Sequence, residues 1–239
     1  MVKVAAAQIK ATENIKENLE KILYYIEKAK SENADIVCFC EITLNLNEKK
    51  RIDISKELSE IQAKCRDKSI YCIFGSYTPE KEGIKNTIFL IDRSGNIKYK
   101  YYKVHLWISE KDEITPGKTN RVVKTDFGKI GIITCWDFAF PSFIQKLSKK
   151  GAKIIFCPTY LADSEKDAEA MRAIPLVRAF ENLSYYISCD AYTDETLSES
   201  YICSPLKILN SIKKEEGIIF ADLNLSEIDS LRDYYDHLR

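Results

Sequence analysis

Residues 35–41 read DIVCFCE, a short apolar run that ends at a glutamate. Its central residues are apolar without interruption, which is typical of a strand that is buried on both faces. Three later stretches have the same character: KIGIITC at 129–135, KIIFC at 153–157 and YYISC at 185–189. These runs predict strands inside a sheet that has no face toward water.

Segments of other character lie before, between and after these strands. Apolar residues recur at positions 15, 19, 22, 23 and 26 after Asn14, and an amphipathic stripe runs from 55 to 68, so both segments are predicted to be helices. Residues 70–74 are predicted as a strand closed by Gly75. Residues 87–92 and 97–103 flank the turn sequence RSGN, which predicts a hairpin. A first strand is expected at 3–8, and a last one at 218–223 precedes a polar C-terminal helix.

The mixture of buried strand–helix units with a hairpin favours a mixed sheet that carries helices on one face. The other face is also apolar and needs a cover, which a second sheet from the same chain would supply. We therefore predict an α/β fold, a four-layer α-β-β-α sandwich with two central mixed β-sheets. With 239 residues, the chain is expected to form one domain over 1–239.

The charge balance narrows the possible partners. Lysine plus arginine and aspartate plus glutamate both number 36, so net charge attracts neither nucleic acid nor an anionic membrane. No stretch is long and apolar enough to span a bilayer, and the N-terminus does not resemble a signal peptide. The eight cysteines are then expected to be free thiols in a cytoplasmic protein, without a metal site.

Three chemically capable side chains follow apolar strand sequences directly. Glu41 follows residues 36–40, Lys103 follows 99–102, and Cys135 follows 130–134. Each one taken alone could simply reach water or pair with a neighbour. Together they supply a base, a cation for an oxyanion and a nucleophile, which are the needs of thiol catalysis. The sequence has two histidines, and a cysteine–histidine pair would have to use His105 or His237.

The motifs around these side chains carry a family resemblance. Glu41, YKVHLW at 102–107 and GIITCWD at 131–137 resemble, in this order, the nitrilase superfamily of carbon–nitrogen hydrolases, and in particular its amidase and N-carbamoyl amidohydrolase branch. The resemblance runs from Val4 to about Leu223. Each motif alone is weak, and their order and spacing make the resemblance specific. Supporting positions are Gln8, Asn86-Thr87, Pro116-Gly117, Phe140-Pro141 and residues 178–182 (RAFEN).

The resemblance implies a catalytic cycle that uses no metal and no cofactor. Glu41 would take the proton of the Cys135 thiol, and the thiolate would attack an amide, carbamoyl or nitrile carbon. Lys103 and the backbone N–H of Trp136 would hold the developing oxyanion. The product would be a thioester that water cleaves.

A second catalytic glutamate is also implied, and the alignment between the lysine and Pro-Gly segments favours Glu110. Glu113 remains an alternative. The chain departs from the family pattern in three places: Cys40 stands where proline is frequent, Ser142 where an acid is usual, and residues 198–201 (SESY) where a Gly-x-Ser stretch is usual. These departures bear on pocket shape and assembly more than on chemistry.

The aromatic residues near these motifs suggest a pocket, although they could equally belong to the core. In the family that this chain resembles, enzymes that cleave monoamides of dicarboxylic acids often carry an arginine just after the nucleophile to hold the carboxylate. Residues 138–140 contain none, so the resemblance argues against a substrate anchored by a carboxylate. A small amide or an N-carbamoyl compound is therefore the expected substrate. The residues expected to bind it are Trp136, Trp107, Asn86 and Phe138.

Some interpretations stay open at this point. Asp194, Glu195 and Glu199 are expected on a late loop, where they could hold a cationic substrate end or be plain surface charges. The chain could also be a non-catalytic binding or scaffold member of the same fold, or a Cys135–His105 hydrolase. The resemblance implies a homodimer or larger homo-oligomer, with the helix at 165–182 and the C-terminal tail as candidate contacts.

Overall fold

The computed structural model describes residues 1–47, 52–162 and 166–235. Within them the chain forms two six-stranded sheets and five α-helices. The strands are β1 (Val2–Gln8), β2 (Ile36–Phe39), β3 (Tyr71–Glu80), β4 (Gly83–Ile91), β5 (Ile97–Tyr102), β6 (Val123–Thr125), β7 (Gly128–Ile132), β8 (Ile154–Pro158), β9 (Tyr185–Cys189), β10 (Glu199–Cys203), β11 (Ile208–Lys213) and β12 (Gly217–Leu223). The helices are α1 (Ile15–Ser31), α2 (Ser55–Lys68), α3 (Pro141–Lys149), α4 (Ala168–Asn182) and α5 (Leu225–Tyr234).

Both sheets are mixed, as the sequence predicts. The first has the order β12-β1-β2-β3-β4-β5, and the second has the order β11-β10-β9-β8-β7-β6. Strands β1, β2 and β3 are parallel neighbours, as are β7, β8 and β9, whereas the outer pairs are antiparallel. The carboxyl ends of the parallel strands therefore meet at one edge of each sheet.

Three apolar clusters separate the layers. The first lies between the sheets and includes Cys38 of β2 and Phe156 of β8. In the second, the opposite face of the first sheet packs on α1 and α2, and in the third the opposite face of the second sheet packs on α3 and α4. Because both faces of each sheet are covered, its central strands are apolar throughout. This arrangement confirms the four-layer α-β-β-α sandwich.

Local signals place most elements correctly. The Asn14 side chain accepts hydrogen bonds from the backbone of Lys16 and Glu17 and so begins α1, and the predicted hairpin is β4 and β5. The predicted end of the third strand at Gly75 is wrong, because β3 continues to Glu80.

Gly75 lies inside strand β3, where its lack of a side chain leaves room for a neighbouring backbone segment. A Cβ atom at this position would lie 2.4 Å from the backbone nitrogen of Ile42, so the glycine permits a close approach inside the sheet. Glu165 lies outside the described residues, and α4 begins at Ala168. Glu199 lies in strand β10 and not on a loop, where it is buried against Arg172, Lys213 and Tyr201.

Candidate active site

Glu41, Lys103 and Cys135 come together at one cavity although they belong to different sheets. Glu41 follows β2 and Lys103 follows β5, both in the first sheet, whereas Cys135 follows β7 in the second. The cavity has a volume of about 750 Å³, and all three side chains line it. The strand-end argument from the sequence thus places three remote residues at one site.

Lys103 joins two carboxylates. Its Nζ lies 2.7 Å from Oε1 of Glu41 and 2.7 Å from Oε2 of Glu110. All three side chains are at most 8% exposed. An ammonium group has three N–H donors, so these two contacts leave one donor for a ligand. Glu110 is thus the acid that meets the lysine, whereas the alternative Glu113 is exposed.

Asn86 is hydrogen-bonded to the same two carboxylates. Its Nδ2 donates to Oε1 of Glu41 and to Oε1 of Glu110, both at 2.8 Å. The residues that line the cavity do not include Asn86. Asn86 therefore contacts the two acids and does not line the cavity. The geometry gives no support to its predicted role in substrate binding. Asn86 directly precedes Thr87, which pairs with Tyr102 of the neighbouring strand. Nothing in this part of the sequence indicates that Asn86 contacts the two glutamates.

The Cys135 backbone has a left-handed conformation, with φ of +44°. A non-glycine residue in this region is strained by about 1–3 kcal/mol and is held there by its surroundings. The restraint comes from Asp137, whose Oδ2 accepts from the backbone N–H of Thr134 at 3.0 Å and from the Tyr101 hydroxyl at 2.6 Å. This sharp turn between β7 and the 3₁₀ helix Cys135–Ala139 resembles the strand-to-helix turns that expose nucleophiles.

His105 is engaged with Asp137. Its Nδ1 lies 2.8 Å from Oδ1 of Asp137, its backbone N–H donates to the same oxygen at 3.0 Å, and its ring stacks on Phe140. His105 is not among the residues that line the cavity, and His237 lies outside the described residues. The geometry therefore gives no support to a Cys135–His105 pair.

The charges of the site are strongly coupled. Burial raises the pKa of the Cys135 thiol well above its ordinary value and the charge of Glu41 adds to this, although Lys103 acts in the opposite direction. Burial also raises the pKa of Glu41, against the influence of Lys103. Burial would lower the pKa of Lys103, but negative charge on its neighbours outweighs this effect and raises that pKa; the neighbours are Cys135 when it is a thiolate, Glu41 and Glu110. The resting site thus holds a thiol and an ammonium group, with a base whose pKa lies closer to neutrality.

The cavity wall is aromatic near these groups. Trp107 and Trp136 meet edge to face with ring centroids 4.6 Å apart, and Phe138 lies next to Trp136. All three line the cavity, as do Asp194 and Glu195 at exposed positions.

Two general features of the described residues bear on the site. No group of three or more histidine, cysteine, aspartate or glutamate side chains is arranged to hold a metal ion in residues 1–47, 52–162 and 166–235. The same ranges contain no helix with the length and apolar character that a membrane crossing requires.

Sequence and structure comparisons relate this chain to known proteins. Residues 3–233 match the carbon-nitrogen hydrolase family. The chain is 30% identical to a nitrilase from Pyrococcus abyssi, over 99% of this chain and 95% of the relative. It is 26% identical to a 2-oxoglutaramate amidase from Bacillus subtilis, over 91% and 88%. A solved structure of an amidase from Nesterenkonia sp., with acrylamide added at its active-site cysteine, superposes with a TM-score of 0.86 at 20% identity and covers 99% of both chains.

Proposed function

Because this chain belongs to the carbon–nitrogen hydrolase family of the nitrilase superfamily, we propose that it cleaves a small amide or N-carbamoyl compound through a thioester on Cys135. Membership makes it a carbon–nitrogen hydrolase, and amidases among its relatives support amide bonds as the target. The thioester and the substrate class are the proposed part.

One observation carries the proposal: a thiol, a carboxylate and an ammonium group, from two sheets, line one cavity. The Glu41 carboxylate accepts a hydrogen bond from Nζ of Lys103 at 2.7 Å. Burial raises the pKa of the Cys135 thiol, and the nearby charge of Glu41 raises it further. A base close to a nucleophile, itself oriented by a third group, is the arrangement that covalent catalysis requires.

The cycle begins when Glu41 takes the thiol proton and Cys135 Sγ forms a bond to the substrate carbonyl carbon. The carbonyl electron pair moves to oxygen, where the third Nζ–H of Lys103 and the backbone N–H of Trp136 stabilise the negative charge. When the C–N bond breaks, Glu41 returns its proton to the departing amine or ammonia. Glu41 then takes a proton from water as its oxygen bonds to the thioester carbon. When the C–S bond breaks, Glu41 gives that proton to Sγ of Cys135, and the acid leaves.

The raised pKa values support these roles. A protonated resting thiol needs a base, and burial makes Glu41 a stronger base than an exposed glutamate. Burial opposes the charge of Lys103, but the negative groups beside it raise its pKa, so its charge is available to the oxyanion. Glu110 offsets part of that charge and orients the ammonium group at 2.7 Å.

The cavity favours an uncharged or cationic substrate over an anionic one. Lys103 is the buried cation of its lining, and two glutamates already neutralise it. The exposed part of the lining carries Lys10 against four acids, which are Glu13, Asp167, Asp194 and Glu195. The rings of Trp107, Trp136 and Phe138 offer an apolar wall for the rest of the molecule.

The test is ammonia release from a matched panel. It contains a neutral aliphatic amide, an amide with a distal amine, 2-oxoglutaramate as the anionic amide, an N-carbamoyl amine and a nitrile. Wild type is compared with Cys135→Ala and with Cys72→Ala, which removes a core thiol on β3 outside the cavity. We expect release from neutral or cationic amides or carbamoyl compounds that Cys135→Ala abolishes and Cys72→Ala retains.

A second measurement tests whether Cys135 is a nucleophile toward a bound amide, which the thioester step requires; fluoroacetamide alkylates a nucleophilic thiol with loss of fluoride. Fluoroacetamide is incubated with Glu41→Gln, and the adduct is located by peptide mass spectrometry. An adduct on Cys135 supports the proposal, whereas turnover that survives in Cys135→Ala refutes it. A folded wild type that releases no ammonia and forms no adduct would favour the non-catalytic alternative.

Two further expectations belong to the proposal. Val177 and Phe180 of α4 and Tyr234 of α5 are exposed, which supports a homodimer through these helices, and light scattering tests it. The eight cysteines are unpaired, which supports a cytoplasmic location.

A further inference from the structure

A buried carboxyl group that the proposed cycle does not use lies two strands away from the nucleophile, in the same sheet. Asp190 directly follows β9 and is completely buried. Its Oδ1 accepts a hydrogen bond from the Thr159 hydroxyl at 3.1 Å and another from the backbone N–H of Leu161 at 3.0 Å. Asp190 thus holds both ends of the three-residue segment 159–161, which follows β8.

This segment touches both the base and the nucleophile. The carbonyl oxygen of Thr159 accepts from the backbone N–H of Glu41 at 3.2 Å, across the boundary between the two sheets. The carbonyl oxygen of Tyr160 lies 3.9 Å from Sγ of Cys135. Segment 159–161 is therefore a common support for two groups that the fold brings from different sheets.

Asp190 is itself firmly anchored. Its backbone N–H donates to the Ser200 hydroxyl at 2.8 Å, and that hydroxyl donates to Gln8 at 2.7 Å. Gln8 in turn donates to the backbone carbonyls of Ser198 and Glu215. This chain of bonds links Asp190 to the first strand, so its carboxyl group has little freedom to follow a moving loop.

We propose that Asp190 is a positioning residue for the reaction: through Oδ1 it fixes segment 159–161, and that segment sets the approach of Glu41 to the Cys135 thiol. The inference rests on the proposed thioester cycle, because it assigns a role within it. A shift of a reacting group by about 1 Å can cost about 100-fold in rate, so a support of this kind acts on turnover more than on binding.

The surroundings of Asp190 keep the support intact over a wide pH range. The titratable groups that face it are Cys40 after β2, its neighbour Cys189 and Tyr160, and burial raises the pKa of all three. They therefore stay neutral near pH 7. Burial also raises the pKa of Asp190, to about 7, but Oδ1 can accept both bonds in the ionised and in the neutral carboxyl group.

The experiment compares two replacements of similar size. Asp190→Asn retains an oxygen acceptor for Thr159 and Leu161, whereas Asp190→Leu removes it. For a substrate found in the panel above, we expect Asp190→Leu to lower kcat roughly 10-fold or more while KM changes less than about threefold. We expect Asp190→Asn to recover at least a third of wild-type kcat. The rate of Cys135 alkylation by acrylamide should fall in parallel with kcat.

The outcomes separate this inference from the proposed function. If Cys135→Ala retains turnover, the thioester cycle itself is wrong. If Cys135→Ala is inactive but folded Asp190→Leu keeps wild-type kcat and alkylation rate, Asp190 has no positioning role. Equal loss in both Asp190 variants would also overturn the inference, because the acceptor would not matter. Should Asp190→Leu fail to fold, Thr159→Val removes one donor alone, and an unchanged kcat in that variant would overturn it.

Discussion

Replacing Asp190 by asparagine should change the pH dependence of stability in a calculable way. In the folded protein burial raises the pKa of this carboxyl group from its ordinary value of 3.8 to about 7. The unfolded chain retains the ordinary value. Below pH 4 both states hold the proton, whereas above pH 7 the folded protein must bury a charge that the unfolded chain keeps in water. Asp190 therefore stabilises the fold most at low pH and loses this contribution as pH rises from about 4 to 7.

The magnitude follows from the two pKa values. Each pH unit between them corresponds to about 1.4 kcal/mol, so the full penalty at pH 8 is about 4 kcal/mol. At pH 5 it is roughly 2 kcal/mol, since only the interval from 3.8 to 5 contributes. Asp190→Asn carries no charge at any of these pH values. Its free energy of unfolding, relative to wild type, should rise by roughly 2–3 kcal/mol between pH 5 and pH 8.

The assay is urea unfolding of both proteins at pH 5, 6, 7 and 8 and at one protein concentration. Taking the difference between the two proteins removes the titration of all other groups. The exposed Asp222→Asn serves as the matched control and should show a difference that stays constant with pH. A constant difference for Asp190→Asn as well would show that Asp190 is not titrating against burial, and the reasoning would be wrong.

Three further predictions concern the site and its frame. Lys103→Ala should lower kcat at least ~100-fold through loss of the oxyanion donor, whereas His105→Ala should cost less than ~10-fold; the reverse order would restore the cysteine–histidine alternative. Asn86→Leu removes the donor that both glutamates share and should lower kcat by ~10–100-fold with little change in KM, and an unaffected kcat would contradict that support. Gly75→Ala should lower the free energy of unfolding by roughly 1–3 kcal/mol, because its Cβ would meet the Ile42 backbone at 2.4 Å; urea unfolding measures it, and an unchanged midpoint would contradict the close approach.

The sequence predicts the layers because burial leaves a direct mark on composition. A strand covered on both faces excludes polar residues, so β2, β7, β8 and β9 can be recognised without any partner. The abrupt appearance of Glu41 and Cys135 after such strands marks the site for the same reason, whereas Lys103 follows the partly exposed hairpin strand β5. Parallel strands of one sheet end at the same edge, which predicts polar groups close together there. The meeting of the two sheets' edges at one cavity is visible only in the structure.

Other features depend on contacts between segments that are remote in sequence. Asn86 is hydrogen-bonded to two glutamates, and Asp190 is hydrogen-bonded to segment 159–161. These bonds join residues that are far apart in sequence, so the spacing of apolar residues does not predict them. Glycine is frequent in turns, so the sequence predicts a strand end at Gly75. In the structure, its lack of a side chain lets the backbone of Ile42 approach closely. Strands β10 and β11 were not predicted, since polar residues such as Glu199 and Asn210 interrupt them.

The base and the nucleophile belong to different sheets, and this division has a consequence for the core between them. The distance over which the proton travels depends on how the inner faces of the sheets pack, at residues such as Cys38 and Phe156. Protein interiors transmit small volume changes because they are closely packed. The turnover rate should therefore depend on the spacing between the two sheets. Substitutions of one methyl group deep in this core, far from any substrate, would therefore change kcat as well as the melting temperature.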